Sequence, residues 1–215
     1  MVRSVNVGRP REAGWASIGR TAIDKTPVTG RVHVARLGLA GDQVADTRHH
    51  GGEDQAVYAF AREDLDRWER ELGVALPDGQ FGENLTTGGI DVNQAEIGER
   101  WRIGTTLLEV ASVRTPCRNF QAWLGRSGAD PRGWVRRFTA EHRPGPYLRV
   151  LTEGSLGAGD DLEVVHRPGH GITVSTMFRA LNTERDLLPS LLVVDRLPAE
   201  VRQMAQARAA AATGA

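Results

Sequence analysis

The sequence predicts a mainly β protein with some α-helix, in which a β-barrel-like domain precedes a small appendage of three helices. Two observations lead to this prediction. Across residues 1–167, short strand-like segments are separated by turns, and the 25 glycines of the chain suit many tight turns. After residues 167–171, which read Arg-Pro-Gly-His-Gly, strand patterns stop and helical patterns follow. We therefore predict one domain over residues 1–167 and a helical appendage over residues 168–215.

The predicted strands are short apolar segments bounded by turn residues. The segment Ile97–Gly104 alternates apolar and polar side chains between two glycines, as a half-buried strand does. The other predicted strands are Val2–Val7, Val32–Leu37, Ala56–Phe60, Leu107–Val113, Tyr147–Leu151 and Leu162–Val165. Strands of this length joined by tight turns favour a barrel or a compact sheet.

Arg62–Leu72 is the clearest predicted helix. Leu65, Trp68 and Leu72 fall at positions i, i+3 and i+7, so they share one apolar face, and Gly73 follows as a stop signal. The other predicted helices are Asn119–Leu124, Pro131–Glu141, Val174–Leu181, Glu184–Val193 and Pro198–Ala212.

The last three of these helices form the appendage. Pro189 should kink or shorten the middle one, because proline cannot donate a helical hydrogen bond. The appendage holds too few residues for a robust core of its own, so we expect it to dock on the β domain.

The composition limits the classes of partner. Lys+Arg and Asp+Glu number 27 each, so the formal net charge is zero, and we expect neither nucleic acid nor a membrane as a partner. No stretch approaches the roughly 20 apolar residues of a membrane span, and no apolar signal-peptide core opens the chain. One cysteine excludes an internal disulfide, so we expect a cytoplasmic protein. A homodimer is expected only because dimers are common.

Cys117, the single cysteine, lies between a predicted strand and a predicted helix. Helix N-termini and neighbouring cations stabilise a thiolate, and Arg114 and Arg118 are both close in sequence. A thiolate attacks electrophiles or binds soft metals. A lone cysteine is also commonly a small buried hydrophobic side chain, and its position alone leaves both interpretations open.

Three further segments are rich in polar residues. In residues 41–52, two aspartates, an arginine and the adjacent His49 and His50 lie on a glycine-flanked loop, a common setting for sites, although these residues also suit turns. Glu83 and Asn84 follow a glycine, where backbone N–H groups can form an anion-binding nest or a plain turn. Lys25, the only lysine, is a candidate phosphate contact. No Walker A, G-x-G-x-x-G or G-x-S-x-G motif is present.

Taken together, four segments resemble the MOSC domain family, named after the C-terminal domain of molybdenum cofactor sulfurase. They agree in order and approximate spacing, and the resemblance continues through Gly145–Leu151. The three-helix appendage resembles that of a bacterial subgroup linked to resistance against N-hydroxylated purines such as 6-hydroxylaminopurine. The four segments are Lys25–Val28, Gly41–Gly52, Phe81–Leu85 and Arg114–Cys117.

The resemblance implies a β-barrel-like domain that binds the molybdenum cofactor (Mo-molybdopterin), with Cys117 as a ligand of the metal. Lys25 and Thr26 resemble the contact to the phosphate side of the cofactor. The loop histidines and Asn84 would line the pterin or the substrate side, and the spacing to Gly51 favours His50 over His49. The remaining candidate contacts in the shared segments are Asp46, Arg48, Gly51, Glu83, Arg114 and Pro116, and Asp46 and His50 are also candidates for catalysis with Cys117.

The leading hypothesis is a molybdenum-dependent oxidoreductase that reduces N-hydroxylated bases and related N-oxygenated compounds. No flavin, haem or iron–sulfur motif is visible, so a separate flavin or ferredoxin-type reductase would supply electrons. A second hypothesis is a carrier that holds the cofactor, or sulfur on Cys117, without turnover. A third is a thiol hydrolase that pairs Cys117 with His49 or His50, although no local nucleophile signature is present.

Overall fold

The protein is described here as a computed structural model that covers residues 1–48 and 50–213. The predicted site residue His49 lies outside this description. The strands of the described residues are β1 (Val2–Val7), β2 (Arg11–Glu12), β3 (Arg20–Thr21), β4 (Thr26–Pro27), β5 (Arg31–Ala35), β6 (Gly38–Leu39), β7 (Val57–Ala61), β8 (Leu85–Thr87), β9 (Arg100–Ile103), β10 (Thr106–Val113), β11 (Pro146–Thr152), β12 (Gly154–Gly157) and β13 (Leu162–His166).

Eight of these strands form one large sheet in the order β13-β9-β10-β11-β7-β8-β1-β4. Neighbouring strands are antiparallel except for the parallel pair of β7 and β8. The sheet is not closed, but it curls: Val2 of β1 donates an N–H to the carbonyl of Asp160 at 2.8 Å and accepts one from Gly159 at 2.9 Å, just before β13. The predicted mainly β, barrel-like class is confirmed in this loose sense.

Within the described residues the helices are α1 (Arg62–Leu72), α2 (Arg118–Arg126), α3 (Trp134–Glu141), α4 (Val174–Asn182) and α5 (Ala199–Thr213), with two 3₁₀ helices at Glu53–Gln55 and Arg185–Val193. Two predictions need correction. The helix expected from Pro131 begins at Trp134, because Gly133 has a left-handed φ of 63°. The middle helix of the appendage is a 3₁₀ helix with Pro189 inside it, since that ring removes a backbone donor.

An aromatic cluster fixes α2 and α3 against the sheet. The ring of Phe81 lies 4.6 Å from that of Phe60 and 4.7 Å from that of Phe120, between ring centroids. The ring of Trp134 in α3 lies 5.1 Å from that of Phe120. Because Phe120 belongs to the first turn of α2, these contacts hold the start of that helix in place.

The appendage packs on the sheet domain. Phe178 of α4 meets Phe138 of α3 edge to face at 6.0 Å, and Thr173 forms a β-bridge with Glu96. Farther along, Arg196 forms an ion pair with the buried Glu109 of β10 at 3.3 Å. These contacts join the appendage to the rest of the fold, while the boundary at residue 168 stays a prediction.

Candidate functional site

Two adjoining cavities lie where the large sheet, α2 and the appendage meet. The first cavity has a volume of about 210 Å³ and is bordered by Lys25, Asp42 and Asn84. The second has a volume of about 850 Å³ and is bordered on one side by Leu181 and Met204 of the appendage. The residues shared by both cavities are His50, Gly51, Gln55, Arg114, Cys117 and Tyr147.

Cys117 caps the N-terminus of α2. Its backbone is extended (φ −136°, ψ 157°), and its sulfur accepts the N–H of Phe120 at 3.4 Å. The predicted strand-to-helix corner is therefore confirmed, with β10 ending at Val113 and α2 beginning at Arg118. The N–H of Phe120 holds the sulfur at the start of the helix, and the half-buried side chain borders both cavities.

Arg114 brings a buried positive charge to the same place. Only 8% of the residue is exposed, and its guanidinium carbon lies 4.6 Å from the Phe120 ring and 5.1 Å from the Tyr58 ring. It donates to the carbonyl of Phe81, and within the described residues no carboxylate forms an ion pair with it. Burial by itself lowers the pKa of Arg114, but the neighbouring tyrosines and Cys117 outweigh it and raise that pKa. The cavities therefore contain a permanent cation beside the sulfur.

Lys25 borders the first cavity as half of an ion pair. Its Nζ lies 2.5 Å from both carboxylate oxygens of Asp42, and its side chain is 10% exposed. Asp42 also accepts the N–H of Gly8 at 2.7 Å and the side-chain amide of Asn84 at 2.9 Å. Burial lowers the pKa of Lys25, and Asp42 partly offsets that effect. The charge of Lys25 is thus neutralised within the protein, whereas exposed Thr26 borders neither cavity.

Asn84 and Glu83 are adjacent in sequence, but only Asn84 borders a cavity. Asn84 borders the first cavity, and its side-chain carbonyl accepts the N–H of Tyr58 at 3.0 Å. Glu83 is fully buried and borders neither cavity. Its carboxylate accepts the N–H groups of Gly79 (2.6 Å) and Phe81 (2.9 Å) and the hydroxyl of Thr86 (2.8 Å). Burial raises the pKa of Glu83, and these bonds partly offset the rise. As a correction to its prediction as a cofactor contact, Glu83 holds the turn beneath the site.

The loop before the first 3₁₀ helix brings His50 and Gly51 to both cavities and Arg48 to the second. Gly51 has a φ of 85°, which favours glycine at this turn. Asp46 borders neither cavity: its carboxylate accepts the N–H of Arg48 at 3.1 Å, and its carbonyl accepts the N–H of His50 at 3.1 Å. Asp46 therefore shapes the turn that presents His50.

Pro116 and Tyr147 also lie near the corner at Cys117. Half-buried Pro116 immediately precedes Cys117 and borders neither cavity. Tyr147 of β11, which sequence reasoning did not select, borders both cavities, and its hydroxyl has no hydrogen bond to the described residues. Burial raises the pKa of Tyr147, with Arg114 opposing, so the phenol keeps its proton at neutral pH. The only sequence cue was its place in the Gly-Pro-Tyr segment.

The donor set at the corner suits a metal that arrives with its own ligands. Among residues 1–48 and 50–213, no group of three or more histidine, cysteine, aspartate or glutamate side chains could hold a metal ion. Cys117 offers one soft donor beside a cation, and an organic dithiolene would supply the other soft ligands. The residues present therefore fit an anionic cofactor that carries molybdenum.

The fold and this corner define a MOSC protein, and comparison agrees: the MOSC domain family matches residues 46–163. The chain belongs to that family, whose domains are of the molybdenum-cofactor-binding type. It has 32% identity to the uncharacterized protein YflK of Bacillus subtilis over 174 residues, 80% of this chain and 76% of that protein. It has 30% identity to a protein named reductase from Gibberella moniliformis over 192 residues, 86% of this chain but 33% of that protein.

The crystal structure of YiiM from Geobacillus stearothermophilus superposes with a TM-score of 0.79 at 27% identity, over 97% of this chain and 98% of that one. The likeness therefore includes the helical appendage as well as the sheet. Within the described residues, no helix is long and apolar enough to cross a membrane.

Proposed function

We propose that this protein is a molybdenum-cofactor-dependent oxidoreductase that reduces N-hydroxylated bases and related N-oxygenated compounds. The observation that carries the proposal is Cys117 at the start of α2, bordering two adjoining cavities beside the buried cation of Arg114. Family membership supports the cofactor, and the Gibberella relative named reductase supports the direction of electron flow. The substrate class follows the resemblance of the appendage to that of the subgroup linked to resistance against such compounds.

Each residue at the corner would make a different contact with the cofactor. Cys117 would be the protein ligand of the metal, and Arg114 would compensate the negative charge of the cofactor and of the thiolate. The Lys25–Asp42 pair and Asn84 would offer polar contacts on the wall of the first cavity. When bound, the cofactor would supply the two electrons needed to break an N–O bond.

Reduction of an N-hydroxylated amine to the amine and water also consumes two protons. Tyr147 and His50 both border the two cavities, so they are the proposed proton carriers. The Tyr147 hydroxyl would donate to the departing oxygen, because it keeps its proton at neutral pH and has no internal hydrogen bond to give up. Electrons would come from a separate flavin or ferredoxin-type reductase, which we place with this protein in the cytoplasm.

The test combines metal analysis with an assay. Protein from a host that makes the cofactor should contain near-stoichiometric molybdenum and should reduce 6-hydroxylaminopurine when a flavin or ferredoxin reductase is added. Cys117→Ser keeps an acceptor for the N–H of Phe120 and should stay folded, whereas Cys117→Ala also loses the helix cap, at about 1 kcal/mol. Both variants should lose molybdenum and activity. Full activity in Cys117→Ser would refute the proposal.

A carrier function is the second candidate, and the accessibility of the thiol favours it. Cys117 is half-buried and borders open cavities, as a sulfur-accepting cysteine must. A carrier would show a mass increase of one sulfur atom on Cys117, or bound molybdenum, without turnover with any reductase. Reduction of 6-hydroxylaminopurine at many turnovers per molybdenum would exclude it.

A further inference from the structure

The second cavity has two walls of different origin. One wall comes from the loop around His50 and from the end of β10 through Cys117, where the proposed chemistry takes place. The other wall comes from the appendage: Leu181 at the end of α4, Arg185, and Val201 and Met204 in α5. The cavity of about 850 Å³ falls within the usual range of roughly 300–1,000 Å³ for small-molecule sites, whereas the first cavity is smaller.

The appendage wall has the chemistry of a binding surface. Leu181, Val201 and Met204 are apolar, and Met204 is 37% exposed, one of few large apolar side chains left that open. Arg185 and Glu200 border the same cavity, and neither forms an ion pair with the described residues. Apolar surface with a few unpaired polar groups is typical of a small-molecule site.

A chain of ion pairs connects the two walls of the second cavity. Buried Glu109 binds Arg149 at 2.6 Å and Arg196 of the appendage at 3.3 Å. Arg149 also pairs with Asp54, which lies in the 3₁₀ helix just after the His50 loop. The loop wall and the appendage are thus connected through Arg149, Glu109 and Arg196.

From these contacts we infer that the appendage forms the substrate-selecting wall of the second cavity, so that its side chains decide how large a substrate the cavity accepts. The inference rests on the proposed function for the identity of the reaction. It assigns the choice among substrates to residues outside the MOSC match at 46–163, with Met204 as the most exposed large apolar side chain of the appendage wall.

The test enlarges one side chain of the appendage wall and compares the effect on a large and on a small substrate. Met204→Trp should fill part of the cavity and raise the KM for 6-hydroxylaminopurine about tenfold, while the KM for hydroxylamine and the molybdenum content stay unchanged. Val193→Trp is the matched control, because Val193 is 55% exposed in the 3₁₀ helix and borders neither cavity. Val193→Trp should change the KM for neither substrate.

Calorimetric titration with adenine, the reduction product of 6-hydroxylaminopurine, is a readout that needs no turnover. Met204→Trp should weaken adenine binding about tenfold, and Val193→Trp should leave it unchanged. Unchanged adenine affinity and unchanged KM in Met204→Trp would overturn the inference, as would equal losses with both substrates. Adenine binding that depends on Met204, in protein with no reductase activity, would support the cavity assignment while the proposed function fails.

Discussion

The ammonium of Lys25 and the carboxylate of Asp42 form a buried ion pair in the wall of the first cavity, with Nζ 2.5 Å from each oxygen. Asp42 is held in turn by the N–H of Gly8 and the amide of Asn84. Segments distant in sequence thus converge on one carboxylate. The pair places a fixed dipole, and no net charge, at that wall.

Asp42→Asn should destabilise the protein by about 3–5 kcal/mol, because it leaves a buried ammonium without its counter-charge. Burial already lowers the pKa of Lys25 below 10.5, and the variant should lower it further. Between the folded-state pKa and 10.5 the unfolded chain binds more protons, so the stability of the variant should rise with pH in that window. Urea unfolding from neutral to alkaline pH measures both effects. A second change, Lys25→Met, should recover much of the loss; a variant as stable as the wild type would contradict the prediction.

Glu83→Gln should destabilise the protein by about 1–3 kcal/mol, since an amide NH₂ would face one of the donors that the carboxylate accepts. Because burial raises the pKa of Glu83 above 4.5, the folded state binds more protons than the unfolded state just above that pH. Wild-type stability should therefore contain a component that falls as pH rises from 4.5 to the folded-state pKa, and the variant should lack it. The free energy of unfolding, measured with a denaturant between about pH 4 and pH 8, tests this prediction. Glu163→Gln, at an exposed side chain, is the control and should leave the profile unchanged.

Arg114→Lys keeps the charge but loses the planar contact with the rings of Tyr58 and Phe120. We expect a loss of about 1–2 kcal/mol in the free energy of unfolding and a lower molybdenum content, because the ammonium cannot reproduce the stacked geometry. Arg126→Lys is the matched control: its guanidinium lies over the Trp15 ring at 5.9 Å on the exposed surface, and its replacement should change neither quantity. Equal effects in the two variants would argue against a special role for the buried cation.

Tyr147→Phe should leave stability unchanged and lower kcat for 6-hydroxylaminopurine about 100-fold with little change in KM, since only a proton donor is removed. Thermal unfolding and steady-state kinetics measure the two parts of this prediction. The control is Tyr58→Phe, which loses a buried hydrogen bond to the carbonyl of Pro144 at 2.7 Å and should cost about 1 kcal/mol of stability. If Tyr147→Phe retains full kcat, another group delivers the proton.

Local patterns determine the parts of the fold that could be predicted. The bounds of β1 and α1 coincide with their predictions: β1 contains three valines, α1 has a helical apolar period, and a glycine follows each element. The corner at Cys117 was likewise visible, since a strand, a proline and a helix follow one another in sequence. The 3₁₀ form of the Pro189 segment was not, because backbone hydrogen bonding decides it.

Site contacts over long sequence separations could not be predicted. Glu83 and Asn84 are neighbours in the segment before β8, yet the carboxylate of Glu83 is fully buried under the turn and the amide of Asn84 borders the first cavity. Tyr147 reaches the site only through the pairing of β10 with β11, which places it opposite Ser112. No local period indicates such a contact.

The burial of Lys25 has a practical consequence. Since it is the only lysine of the chain and its side chain is 10% exposed, an amine-directed reagent has a single side-chain target, and that target lies on the cavity wall. The extent of acylation at Lys25, measured by mass spectrometry of its peptide, therefore reports whether the first cavity is filled. Protein loaded with a ligand in that cavity should be acylated more slowly than the same protein without one, and no label need be introduced.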